Sequence, residues 1–289
     1  MKQKRNIDAW LFSGPALVIY LAVVIIPIIW SVGLSLFEYN GIGAMHFTGL
    51  GNYVLMFKDP VFWQTVTNSL VFMVVSTVLQ LVMGLALAII LSNIKRGANV
   101  LRVVYFIPCI ISSMAISQIF QKLLSVQPEG VLAAIMKVLG MEPVALLSES
   151  KWVLLVIAVI DAYKFVGIYM IIFYSALKDI DESVVEAATI DGCGWWQLHT
   201  KIKIPMIMNI VVMVLVLLVS GTLKGFDISY ILTKGGPGTS SELVATYMYK
   251  MAFGSTKYGL ASAMAVFLII ECLLAVFLVQ RFGAKLQKD

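Results

Sequence analysis

Long apolar runs alternate with short polar stretches along this chain, and six of the runs reach the roughly 20 residues that a helix needs to cross a bilayer. They cover residues 10–36, 63–92, 100–123, 152–177, 205–228 and 260–281. The pattern predicts an all-α integral membrane protein with six transmembrane helices. The first run starts at Trp10, behind Lys2, Lys4 and Arg5, and ends at Leu36. Its apolar core exceeds the ~7–15 residues of a secretory signal, so it reads as a retained anchor. Between the runs, residues 129–141 place Val131, Ile135, Val138 and Leu139 at helical spacing, which predicts a short amphipathic helix on the outer surface. Residues 235–241, GGPGTSS, form a turn cluster.

Composition strengthens the membrane assignment. Hydrophobic residues make up 60% of the 289 positions, and charged residues only 13%. The mean hydropathy is +0.94, outside the range of ordinary globular domains. Cys109, Cys193 and Cys272 lie scattered in or beside apolar segments with no metal or disulfide spacing, and His46 and His199 stand far apart. No metal site is expected. The pI near 9.0 reflects loop lysines and arginines that set topology, so nucleic acid is not an expected partner.

Those basic residues also orient the chain. With the N-terminus in the cytoplasm, Lys2, Lys4, Arg5, Lys95, Arg96, Arg102, Lys178, Lys201, Lys203, Arg281, Lys285 and Lys288 face inward. Lys58, Lys122, Lys137, Lys151, Lys224, Lys234, Lys250 and Lys257 face outward, twelve against eight. Both termini are then expected to be cytoplasmic.

One cytoplasmic loop is unusually ordered. In EAATIDGCGWWQLHTKIKIP, residues 186–205, a helix is expected to start near Ser183, with Glu186 completing a capping box. Gly192 and Gly194 supply positions that end it and turn the chain. Trp195, Leu198 and Ile202 start a second helix, and Pro205 opens the fifth run. Two adjacent tryptophans facing water, beside small alanines and one carboxylate, suggest a surface that a partner covers.

Glu186, Ala187, Ala188, Gly192, Ile202 and Pro205 fall in the pattern of a glutamate and two alanines, a glycine, then an isoleucine and proline. This resembles the cytoplasmic loop of permease subunits of ATP-binding-cassette importers. Ile204 stands where that family has leucine. The stretches 14–40, 47–72, 101–112 and 231–253 extend the resemblance to the carbohydrate branch, the maltose and multiple-sugar permeases. The large extra outer domain of the maltose permease is absent.

The resemblance implies a single transmembrane domain over 1–289 with a type I importer permease fold. It also implies a cytoplasmic, or inner, cell membrane of bacterial type as its location. Residues 183–204 then become coupling helices seated in a groove of an ATPase subunit, with Glu186, Ala187, Ala188, Asp191, Gly192, Trp195, Trp196, Ile202 and Pro205 at the contact. The implied partners are a second permease, two ATPase subunits and an extracytoplasmic solute-binding protein. This chain has no phosphate-binding loop, since GGPGTSS lacks the following Gly-Lys-Ser/Thr. It binds no cofactor itself, and ATP and magnesium belong to the ATPase subunits.

Charges inside a span usually face protein or a water-filled cavity. Asp161 and Lys164, three apart, share a helical face. A neutral sugar needs aromatic faces for its C–H surfaces and polar groups for its hydroxyls. By resemblance the sugar path falls on Tyr163, Lys164 and Phe165, with Asp161 beside them, and on Thr222, Lys224, Phe226 and Asp227. An internal ion pair between Asp161 and Lys164 is the plain alternative. Glu271 reads as structural, held by a neighbouring helix or by the partner permease. Two other functions stay open: import of a polyol, glycerol phosphate or amino acid, and an intramembrane enzyme using Asp161, Lys164 and Glu271.

Overall fold

The computed structural model describes residues 13–94 and 96–286. The expected start of the first span at Trp10 and the orienting residues Lys2, Lys4, Arg5, Lys95 and Lys288 lie outside the described residues. Five helices among the described residues are long and apolar enough to cross a membrane, or six spans if one sharply bent pair counts as one.

The chain opens with α1 (Ser13–Leu34). A two-residue antiparallel ribbon follows, pairing Phe37 with Phe47 and Glu38 with His46. Next come α2 (Gly51–Lys58) and α3 (Pro60–Asn93). The third apolar run is two helices, α4 (Ala98–Ile110) and α5 (Ser113–Leu124), bent by 94°. The bend has local causes. Pro108 removes a backbone donor near the end of α4, and Ile111 is extended at φ −66° and ψ 137°. Ser112 then caps α5, its side chain accepting from the Ala115 N–H at 3.2 Å.

The expected surface helix is α6 (Val131–Val138). Its residues Val131, Ile135 and Val138 are exposed, as is Leu139 just beyond it. The long α7 (Val153–Lys178) is the most enclosed span, with half of its most apolar window buried. The polar loop begins with α8 (Glu182–Ile190). The fifth run, read as 205–228, forms α9 (Met208–Leu223) and α10 (Asp227–Thr233), interrupted at 224–226. Gly225 sits at this break because a Cβ there would lie 2.9 Å from both Phe72 and the Thr222 carbonyl. The last helix is α11 (Tyr258–Leu286).

The described residues divide into two compact units, 13–62 with 247–269, and 63–94 and 96–246 with 270–286. In the first, Asn52 is buried and donates to the carbonyls of Ser35 at 2.8 Å and Phe37 at 2.9 Å, which ties α2 to the ribbon. In the second, one apolar cluster gathers Phe72, Ile116, Val153, Ile157, Ile160, Ile228 and Leu243. Another gathers Ala88, Leu91, Met170, Phe173, Leu177, Ile207, Val214 and Leu218. Gly167 lets α7 meet α4 so closely that a Cβ would stand 2.3 Å from the Tyr105 carbonyl oxygen.

The glycine-rich turn is held by buried polar groups of the second unit. Asn68 on α3 donates to the carbonyls of Thr239 and Glu242, each at 3.0 Å. Ser69 accepts from the Val244 N–H at 3.0 Å, and Ser229 donates to the Ser241 carbonyl at 3.0 Å. Asn68→Ala removes the donor from two carbonyls in a buried setting. The expected cost is about 1–3 kcal/mol, read as a lower midpoint in thermal unfolding of the detergent-purified protein.

Candidate functional site: a polar cavity and a helical loop

Two regions of the second unit gather the functional candidates. The first is a polar cavity of about 210 Å³ lined by Ser113, Asp161, Phe165, Lys224, Phe226 and Asp227, among others. Beside it lies a smaller one of about 120 Å³ that shares Asp161, Phe165 and Gly221 and adds Gln80, Tyr169 and Thr222. Helix geometry explains α7's contribution, since Asp161, Phe165 and Tyr169 recur every fourth residue and Lys164 lies between them on the same side.

Asp161 is 8% exposed and Lys164 5%, and each turns to a neutral partner on a different helix. Asp161 accepts from Gln80 Nε2 at 2.9 Å. Lys164 donates to Ser113 Oγ and lies 5.0 Å from the centre of the Phe165 ring. Ser113 in turn donates to Asp227 Oδ2 at 3.3 Å. A chain of polar contacts therefore joins α7, α5 and α10. Phe226 stacks on Tyr230 with centroids 5.0 Å apart and planes 14° apart.

Six of the eight path candidates line these cavities: Asp161, Phe165, Thr222, Lys224, Phe226 and Asp227. The Thr222 hydroxyl, however, spends its proton on its own helix, 2.8 Å from the Leu218 carbonyl. Lys164 is not among the lining residues but bonds to Ser113, which is. Tyr163 is not brought in. It is 45% exposed and packs edge-to-face on Phe120 with centroids 5.5 Å apart. Its position two residues after Asp161 turns it about 160° away on a helix of 3.6 residues per turn. Tyr169, which the sequence also offers as a path residue on the fourth span, lines the smaller cavity, whereas Gln80 and Ser113 were not among the sequence candidates. An amide in the most apolar part of α3, where residues 70–92 hold no other, was the signal available for Gln80.

The second region is the loop from Asp181 to Pro205. Its helix cap is Asp181 instead of Ser183, because Asp181 Oδ1 accepts from both the Ser183 N–H at 3.0 Å and the Ser183 hydroxyl at 2.8 Å. These bonds hold the Asp181 carboxyl below its ordinary pKa. Their stabilising effect on α8 is present above the unfolded pKa and lost as pH falls through the lower folded value. Gly192 has φ +77°, the left-handed conformation expected where α8 turns back. The second helix starts at Trp195–Gln197, then widens to a π-helical turn over Leu198–Lys203. Pro205 falls in the first turn of the short helix Ile204–Met206, ahead of α9. Burial first, and Lys178 second, lower the pKa of Lys203.

Glu186, Ala187, Asp191, Gly192, Trp195, Trp196 and Pro205 are exposed, whereas Ala188 is buried and Ile202 half-buried. Trp196 is 73% exposed and Ile190 86%. Trp195 meets Trp196 edge-on at 4.7 Å and lies over the buried His199 ring at 4.4 Å. These residues put an exposed apolar face on a polar loop. Among the described residues no group of three or more metal-ligating side chains comes together.

A helical multi-span protein with a polar cavity among its spans and a structured loop at one end is a membrane transport subunit in architecture. The chain belongs to the family of binding-protein-dependent transport system inner membrane components, whose sequence profile matches residues 80–288. It is 32% identical to the lactose transport system permease protein LacF of Rhizobium radiobacter, over 100% of this chain and 97% of that one. It is also 32% identical to the alpha-glucoside transport system permease protein AglF of Rhizobium meliloti, covering 92% and 79%. The fold matches a chain of a bacterial alginate ABC transporter crystallised with an alginate-bound periplasmic protein. The TM-score is 0.87 at 21% identity, with 99% and 97% covered.

Proposed function

We propose that this chain is the permease subunit of an ATP-binding-cassette importer that carries a sugar or oligosaccharide into the cytoplasm. Relatives named for lactose and alpha-glucoside transport, matched over most of their length, carry this reading. The cavity chemistry agrees with it. Phe165 and Phe226 offer aromatic faces, while Ser113, Gln80, Asp161 and Asp227 offer hydrogen-bonding groups. The carboxylates Asp161 and Asp227 are balanced by Lys224 and by Lys164 bonded to Ser113, so the lining carries no net charge of its own and suits a neutral, hydroxyl-rich solute.

The chain acts with a second permease, two ATPase subunits that hold ATP and magnesium, and an extracytoplasmic binding protein. Both termini and the 181–205 loop face the cytoplasm, in keeping with the distribution of lysine and arginine. There the exposed face of Glu186, Trp195 and Trp196 docks on an ATPase subunit. Closure of the ATPase dimer moves the docked helices, and the spans follow between inward-open and outward-open states. Docking need only differ in free energy between the two states to drive the change.

Gentle-detergent purification through a C-terminal tag, followed by mass spectrometry, is expected to recover a second multi-span permease, an ATPase and a binding protein. Recovery of the chain alone, from membranes in which it is stable, would overturn the assembly.

A further inference from the structure

His199 is 1% exposed in a loop whose neighbours Trp195, Trp196 and Thr200 are exposed. Its Nδ1 lies 2.8 Å from the Trp195 carbonyl. A carbonyl only accepts, so Nδ1 carries the proton and Nε2 presents a lone pair. Asn93, the last residue of α3, meets that lone pair with Nδ2 at 3.3 Å. The same Nδ2 lies 2.7 Å from the Ile89 carbonyl, which fixes the orientation of the amide. One NH₂ group thus gives one hydrogen to α3 and the other to the loop. The π-helical turn over Leu198–Lys203 surrounds this contact, and such widened turns recur at functional sites.

The link matters because of what it joins. The loop is covalently continuous with α7 before it and α9 after it, but it reaches α3 only through contacts in space. Helix α3 carries Gln80, which holds Asp161 in the cavity wall. Gln80 stands thirteen residues before Asn93, about 20 Å along a helix rising 1.5 Å per residue. A pull on the end of α3 therefore arrives at the cavity as a displacement of the Gln80 amide.

We propose that Asn93 and His199 form a clasp that passes movement of the 181–205 loop to α3 and so to the cavity. They are positioning residues, acting through the loop and through Gln80. This rests on reading the loop as the ATPase dock. Apolar packing resists separation but tolerates sliding. A hydrogen bond between a buried imidazole and a helix-terminal amide also fixes rotation, and rotation of α3 is what re-aims Gln80.

The test needs no knowledge of the cargo. A single cysteine is placed at Gly221, where a Cβ meets nothing within 4 Å, after Cys109, Cys193 and Cys272 are changed to serine. The complex that copurifies with the chain is put into nanodiscs. Alkylation by a charged maleimide is then timed with and without ATP and vanadate, alongside ATP hydrolysis. ATP is expected to change the alkylation rate of the parent about fivefold, the signature of a shifted population. Asn93→Ala and His199→Ala should each reduce that response about threefold while hydrolysis continues, and the double variant should be no worse than either single. His199→Gln, which restores an acceptor, should recover part of it.

Asn93 is exposed, so its truncation leaves folding intact. A full ATP response in Asn93→Ala, or additive losses in the double variant, overturns the clasp while the importer reading stands. A parent complex that contains no ATPase overturns the docking reading and the clasp with it.

Discussion

Gly167→Val is expected to abolish accumulation of the folded protein. The added Cβ alone would lie 2.3 Å from the Tyr105 carbonyl oxygen and 2.9 Å from Phe106 Cα, and both are backbone atoms. Backbone within a helix cannot swing aside as a side chain can. Helices α4 and α7 would have to separate, which opens the contact along their length and strains the bent α4–α5 pair. Overpacking of this kind costs about 3 kcal/mol or more, a large share of a marginal stability. Fluorescence-detected size-exclusion chromatography of a tagged chain would show the monodisperse peak lost. Gly221→Ala is the matched control, because a Cβ there meets nothing within 4 Å. It should behave as the parent or gain slightly in thermal midpoint, as replacement of a glycine within a helix by alanine does. A monodisperse Gly167→Val protein would mean that α4 and α7 do not approach through this glycine.

Glu186→Lys and Gly192→Val are expected to cut solute uptake by about tenfold or more while membrane insertion and the amount of chain stay unchanged, a loss equal to about 1.4 kcal/mol of coupling. The two changes act differently. Glu186 is exposed, so reversing its charge alters the face presented to a partner with little effect on the fold. Gly192 has φ +77° with open space around the missing Cβ. Valine fits there sterically but not conformationally, at a cost of about 1–2 kcal/mol confined to the turn, which shifts α8 relative to Trp195. ATP hydrolysis by the purified complex should continue, detached from uptake. Undiminished transport in both variants would remove the coupling role from this loop.

Apolar run length alone revealed the spans, because a bilayer demands it. The loop was legible in part: Gly192 adopts the left-handed conformation expected of it and Pro205 falls in a first helical turn, whereas Gly194 is extended at φ −71° and caps the second helix instead of ending the first. The bend at 111–112 was hidden inside one apolar run. Pro108 and Ser112 are its causes, yet proline within a membrane helix is common enough that straight continuation was the natural reading. On α7, helical spacing put Asp161 and Lys164 on one face, whereas Phe165 came from the family resemblance, and the same arithmetic would have turned Tyr163 away. The partners of Asp161 and Lys164 could not be read from spacing. Gln80 and Ser113 lie 81 and 51 residues away along the chain, and only packing of α3 and α5 against α7 brings them there. Helix α8 starts from Asp181 because two donors of Ser183 converge on one carboxylate, a competition between neighbouring caps that a motif does not resolve.

The bent pair has a consequence for how the protein is made. Gln121 on α5 donates to the carbonyls of Ile231 and Leu232, residues 110 and 111 positions further along the chain. At a synthesis rate of roughly 5–20 residues per second, the anchor that holds α5 at its angle leaves the ribosome about 5–20 seconds after α5 itself. During that interval the stretch from Ala98 to Leu124 enters the membrane as a hydrophobic segment whose fold-defining neighbour does not yet exist. The bend itself has its causes within 108–115 and can form as soon as that stretch is made, whereas its anchoring to α10 through Gln121 is a late event in biogenesis.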